Sequence, residues 1–254
     1  MSARGRAAVL WAGLLVLAAA LAAGLARLPP AGEGASAYGD LLARRSAPER
    51  SAGDAVAAVN FDYRGFDTLG EELILFTAVA GAGLLLRQGP RREGHAEERD
   101  RAAGRRPPPT SSAVRVLGGG LAGAGVCLGL YLATHGQVSP GGGFQGGVVL
   151  ATVPLSVYLA MEADVFRRIA PRLLVAIGEG AGIGLYAATG LLGLLARRAY
   201  LENVLPAGQI GDVLSAGTIL PLNLAVALAV AGGLLLLLTV FLAEALEERL
   251  EGGW

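Results

Sequence analysis

The sequence predicts an all-α, polytopic membrane protein with about six transmembrane helices, and three observations carry that expectation. Of 254 residues, 53% are hydrophobic and only 17% are charged, against roughly 25% charged in soluble domains. Glycine takes 39 positions, about twice its usual ~7% share. The apolar residues are also gathered into runs of roughly the 17–25 residues that a bilayer-spanning helix requires. Backbone in hydrocarbon must satisfy its own hydrogen bonds, so isolated runs of this length are read as helices. The same composition excludes other classes. The 21 basic and 21 acidic residues cancel, and every basic residue is arginine, which argues against a nucleic-acid partner. Two histidines (His95, His135) and one cysteine (Cys127) leave neither a disulfide framework nor a Cys/His metal cluster. No resident cofactor or metal is expected.

The first run, Ala7–Ala26, follows Arg4 and Arg6. A basic start before Ala/Leu also describes a secretory signal peptide, with small residues in Leu21–Arg27 for cleavage. The run exceeds the usual apolar region of roughly 7–15 residues, which favours a retained helix. Leu28–Thr68 reads as an outer loop, polar and mixed in its first half, before a second helix at Leu69–Leu86. Gln88–Ala113 is rich in Arg, Glu and Gly and contains Pro107–Pro109. It cannot bury enough apolar surface to offset ordering entropy, and is expected to be a flexible cytoplasmic linker with His95 solvated. Four more helices follow at Val114–Thr134, Phe144–Met161, Leu173–Leu195 and Leu222–Ala243. The predicted organisation is a two-helix module (1–87), a linker (88–113) and a four-helix domain (114–254). With the N-terminus inside, 14 of the 21 arginines fall on cytoplasmic segments and 7 on outer ones. The positive-inside rule therefore places both termini in the cytoplasm.

Few residues are candidates for chemistry. Asn60–Glu72 runs into the second helix, and there Asp67 and Glu71 are spaced to share a helical face. Thr68-x-x-Glu71 also reads as a capping box, and carboxylates suit a helix N-terminus electrostatically. Capping and ion handling are compatible, because a cap would hold the acids at the membrane face. Between the third and fourth helices lies His135-Gly-Gln-Val-Ser-Pro140-Gly141-Gly142-Gly143-Phe144-Gln-Gly-Gly147. Three glycines after a proline permit either a tight re-entry turn or an unwound segment whose backbone lines a cavity. A phosphate loop is dismissed, since its Gly-Lys-Ser/Thr ending is absent. Glu179 falls about seven residues into the fifth helix, at a depth where a carboxylate is costly and a functional candidate by default. The glycines around it, and Gly119-x-x-x-Gly123, suit close helix packing. Ser215, Thr218 and Asn223 open the sixth helix as polar packing or a hydration site, and Cys127 is expected to be buried. Without lysine, any proton must ride on Asp67, Glu71, Glu72, Glu179, His135 or water, so the chain reads as part of a path and dependent on partners.

Pro140-Gly-Gly-Gly-Phe144-Gln-Gly-Gly147, preceded by His135-Gly136, resembles the signature of the B subunit of Mrp-type multisubunit Na⁺/H⁺ antiporters, the MnhB family. Asn203-Val-Leu-Pro-x-Gly208 and Leu214-Ser-Ala-Gly-Thr-Ile219 with Pro-Leu-Asn-Leu-Ala-Val226 resemble the C-terminal half of the same domain. Asp62-Tyr-Arg-Gly-Phe-Asp67-Thr-Leu-Gly-Glu71 resembles the E-type subunit of membrane-bound hydrogenases, also found at the C-terminal end of the antiporter's large A subunit. That pattern has Phe at the position of Tyr63, and Glu72 is an added acid to which no role is transferred. The resemblance implies a fused E-like and B-like subunit of a cation/proton antiporter in the cell membrane, partnered by large complex I-like antiporter subunits. It implies a transporter subunit rather than an enzyme, with Na⁺ and H⁺ as cargo. It also implies an ion-path role for Glu71 and antiport or assembly roles for Pro140 and Phe144, with Asp67 and His135 as weaker companions. Two alternatives stand beside it: a membrane-arm subunit of a hydrogenase-type or other complex I-related assembly, and a purely structural scaffold.

Overall fold

The computed structural model describes residues 3–28, 37–86, 111–160 and 163–251. The expected linker and His95 lie outside the described residues, apart from its last residues, 111–113. The helices are α1 (Ala3–Leu25), α2 (Ala37–Arg50), α3 (Ala55–Ala58), α4 (Gly65–Leu85), α5 (Ser112–His135), α6 (Gly143–Ala160), α7 (Ala163–Ile169), α8 (Arg172–Leu195) and α9 (Ile219–Glu251). A π-helical turn, Val59–Tyr63, joins α3 to the residues before α4. No strand occurs among the described residues. Helices α4, α5, α6, α8 and the Ile219–Leu242 part of α9 are long and apolar enough to cross a membrane, and α1 carries a shorter apolar stretch, Val9–Leu25. The expected all-helical, multi-pass architecture is therefore present.

Two compact units divide the chain, Met1–Leu41 and Leu42–Trp254. The first contains α1 and the opening turn of α2. Within the second, α9 is the central helix, packing on α8, α6, α4 and α5, while α5 and α6 form an antiparallel hairpin. The main core gathers Phe61, Tyr186, Ile219, Leu222, Val226 and Val230 with small alanines between them. The broad outward apolar faces of α4, α5 and α8 are what helices in hydrocarbon present.

Several expectations are corrected. The stretch read as an outer loop is largely helical, with α2, α3 and the π turn inside it. Asp54 caps α3 by accepting from the Val56 N–H at 3.0 Å, and the Gly53 and Asp54 N–H groups donate to the Gln137 carbonyl at 2.8 and 3.2 Å. These long-range bonds, invisible to periodicity, hold the segment in place. The Thr68–Glu71 capping box does not form. Helix α4 begins earlier, at Gly65, with no side-chain cap, and the Thr68 hydroxyl donates back to the Asn60 carbonyl at 2.7 Å. Cys127 is exposed on α5. The packing stripe of α5 is Gly118, Gly125 and Gly129 against α6, while Gly123 has open space beside it.

Candidate functional site

The two sequence clusters meet. A cleft of about 230 Å³ lies between the α3–π turn segment, the start of α4, the glycine loop and α9; Asn60, Thr68, Glu71, Gly141–Gly143, Phe144 and Gln145 are among its lining residues. Glu71 is the one ionisable side chain on that wall, and it is exposed. The opposite wall is backbone. Helix α5 ends at His135 and α6 starts at Gly143, so the peptides between them are free of regular helical pairing. Gly141 and Gly142 hold φ of 146° and 132°, values that side-chain-bearing residues rarely adopt. At Gly143 the constraint is distance: a Cβ there would strike the Asn223 carbonyl and sit 2.8 Å from Val226 Cβ. The Asn223 amide completes the joint. Its Oδ1 accepts from the Gly143 N–H at 2.7 Å, and its Nδ2 donates to the Ile219 carbonyl at 3.2 Å. One fully buried side chain thus satisfies an orphan amide at the start of α6 and ties that helix to α9.

Other predicted residues stand apart from the cleft lining. Asp67 is exposed and ion-paired with Arg64 at 2.5 Å. His135 stacks on Tyr131 with ring centroids 4.3 Å apart, its Nδ1 lying 3.0 Å from the Tyr131 carbonyl. Pro140 is exposed at the turn preceding the glycines. Glu179 is buried on α8, close against Gly232 and Gly233 of α9.

Two residues near this site gain weight only in the structure. Glu72, counted by sequence among the possible proton carriers but given no role from the resemblance, is only 1% exposed. Tyr186 is fully buried and donates to the Gly65 carbonyl at 2.7 Å. The spacing of Tyr186 from Glu179, two helical turns, was the available signal for a shared face. Outside the spans, Asp62 closes the approach to α4. Arg50 Nε lies 2.8 Å from its Oδ1, and the Arg50 guanidinium sits over the Tyr63 ring at 5.2 Å. Burial pushes the Asp62 carboxyl above its ordinary value, outweighing an Asn203 hydrogen bond and the Arg50 charge, which lower it. Burial, then the hydrogen bond to Glu49, pushes the Tyr63 phenol up to about 12.

Fold and cleft together define a multi-pass, all-helical membrane protein with a cleft of mixed lining, holding one carboxylate, between its helices. Residues 113–236 match the domain related to the MnhB subunit of Na⁺/H⁺ antiporters, and the chain belongs to that family. It is 30% identical over 198 residues to the uncharacterised protein MJ1307 of Methanocaldococcus jannaschii, covering 70% of this chain and 73% of that one. A chain of the membrane-bound sulfane sulfur reductase, an archaeal respiratory membrane complex, aligns with TM-score 0.67 and 28% identity over 93% of this chain and 98% of its own. A chain of the Mrp complex from Dietzia sp. DQ12-45-1b has a TM-score of 0.66 at 24% identity, covering 94% of this chain and 26% of that one, and shows the shared fold.

Proposed function

We propose that this chain is a membrane subunit of a multisubunit antiporter that exchanges a monovalent cation, Na⁺, for H⁺, and that the Glu71 cleft is part of its passage. The observation that carries this reading is the convergence of Glu71 with the Gly141–Phe144 loop on one cleft. A cation entering such a cleft meets peptide oxygens, the Asn60 and Gln145 amides and one carboxylate. Broken helical backbone beside an acid is how transporters make polar sites at membrane depth. Cation and proton would compete for the one Glu71 carboxylate, which couples the two fluxes through one charge. Asp67, paired with Arg64, would set the field at the cleft mouth. His135 and Pro140 would shape the turn that presents the glycines. In this reading residues up to 87 form an E-like module fused to the MnhB-like domain, and the chain is no enzyme.

Antiport in everted vesicles, with assembly of the complex confirmed, tests the proposal. Glu71→Gln should lower exchange about a hundredfold, the lower range for removing a positioned proton-transfer group. Wild-type exchange would reduce Glu71 to a structural part. A second reading, a membrane-arm subunit of a respiratory, redox-linked complex, is favoured by the near end-to-end alignment with a chain of the sulfane sulfur reductase complex. Co-purification separates the two: an iron–sulfur or other redox subunit supports the second, and antiporter subunits alone support the first.

A further inference from the structure

We infer that Glu72 and Glu179 form a buried proton-binding pair, distinct from the cleft, at the junction of α4, α8 and α9. Register brings them together. The Tyr186 hydroxyl donates to the Gly65 carbonyl, fixing one level of contact between α8 and α4. Seven residues back along α8 stands Glu179, and seven forward along α4 stands Glu72. Each step is about 10.5 Å along a helix axis, so two antiparallel helices bring both acids to one level. A glycine on α9 lies between the two helices and shows the facing. A Cβ on Gly233 would lie 2.9 Å from Glu179 Oε1 and 3.6 Å from Leu75 Cδ2, and Leu75 shares a face of α4 with Glu72. Gly232 allows this approach, since a Cβ there would lie 2.6 Å from the Glu179 nitrogen.

The second observation is the state of the carboxyl oxygens. Glu72 is 1% and Glu179 5% exposed, and both oxygens of Glu72 and Oε1 of Glu179 are buried without a hydrogen-bond partner. An unpaired carboxylate in such surroundings is strongly disfavoured unless something neutralises it. No arginine is among the groups acting on either acid; those acting on Glu72 are Glu71 and Glu179 themselves. The other ionisable neighbours are Tyr186 on α8 and Tyr200 in the loop after it, which lies beside Tyr186. Between Ile219 and Leu242, α9 offers no ionisable side chain. Two buried acids without a counter-cation are compatible with burial when protons neutralise them. Glu71 and Glu72 are adjacent on α4, one on the cleft wall and one inside, so protons taken from the cleft have a short route to the pair. The inference deepens the antiporter reading by naming where its proton rests.

Infrared difference spectroscopy on the purified complex, with H/D exchange, tests this. The wild type should show an exchangeable protonated-carboxyl band at neutral pH, and its absence overturns the inference whatever the variants do. Glu72→Gln and Glu179→Gln keep size and polarity. Each should remove band intensity and slow proton flux about a hundredfold, whereas an unchanged band in both assembled variants overturns the pair. Glu71→Gln separates the two proposals. If it is silent while the band and its losses hold, the cleft reading fails and the pair stands; if it abolishes exchange while the band survives Glu72→Gln and Glu179→Gln, the pair alone fails.

Discussion

Glu71 and Glu72 are neighbours in sequence and differ by about 100° around a helix, so one faces the cleft and the other the interior. That rotation gives the two acids different surroundings. Asn223 shows the same economy, because one amide answers both the Gly143 N–H and the Ile219 carbonyl. Asn223→Ala leaves a buried donor unpaired and should cost about 1–3 kcal/mol, read as a lower thermal midpoint in detergent. Asp62 supplies a pH test. Its carboxyl is raised above 3.8 in the folded chain, chiefly by burial. The folded state therefore holds this proton more tightly than the unfolded state. Its contribution to stability is full below the ordinary value and is lost as pH rises through the folded one. Asp62→Asn should then show a shallower decline of stability than wild type on going from pH 3.8 towards neutrality, measured by thermal melts across pH.

At the scale of elements, the excess of glycine separates into positions that differ in consequence. Gly143 touches α9 and Gly129 touches α6, whereas Gly123 has nothing within 4 Å. Gly143→Ala should cost about 1–3 kcal/mol by overpacking the α6–α9 joint. Gly123→Ala should be neutral or stabilising by about 0.5–1 kcal/mol, because alanine loses less freedom on entering a helix. Denaturation of the two variants side by side gives the contrast. Of the Gly119-x-x-x-Gly123 pair, Gly123 meets nothing within this chain, and the row that packs on α6 is Gly118, Gly125 and Gly129. Composition does not tell which of several glycine rows faces a neighbour; the register of the α5–α6 hairpin does. The early start of α4 has a similar origin. The Thr68 hydroxyl is occupied by the Asn60 carbonyl, a partner supplied by the π turn, so a local capping pattern gave way to a longer-range bond.

On the scale of the whole molecule, the chain is a membrane subunit of the family related to the MnhB subunit of Na⁺/H⁺ antiporters, and orientation is the first property to test. Arginine counts predict that both termini are cytoplasmic. A Cys127→Ser background with single cysteines added at either end should be labelled from the cytoplasmic face only; periplasmic labelling of either end would reject that topology. Sequence by itself determined the class, because run length and apolar content are what a bilayer reads. It also delivered the glycine-loop motif inside the matched domain, and five of the spans to within a few residues. What only the tertiary structure decided was which polar groups meet. Glu71 and the glycine loop are some seventy residues apart in the chain and share a cleft because α4 and α6 both pack on α9. Glu72 and Glu179 are further apart still, and their pairing depends on the sliding register of two antiparallel helices. Helical periodicity fixes the face a residue occupies; packing between helices fixes the level, and no local pattern encodes it.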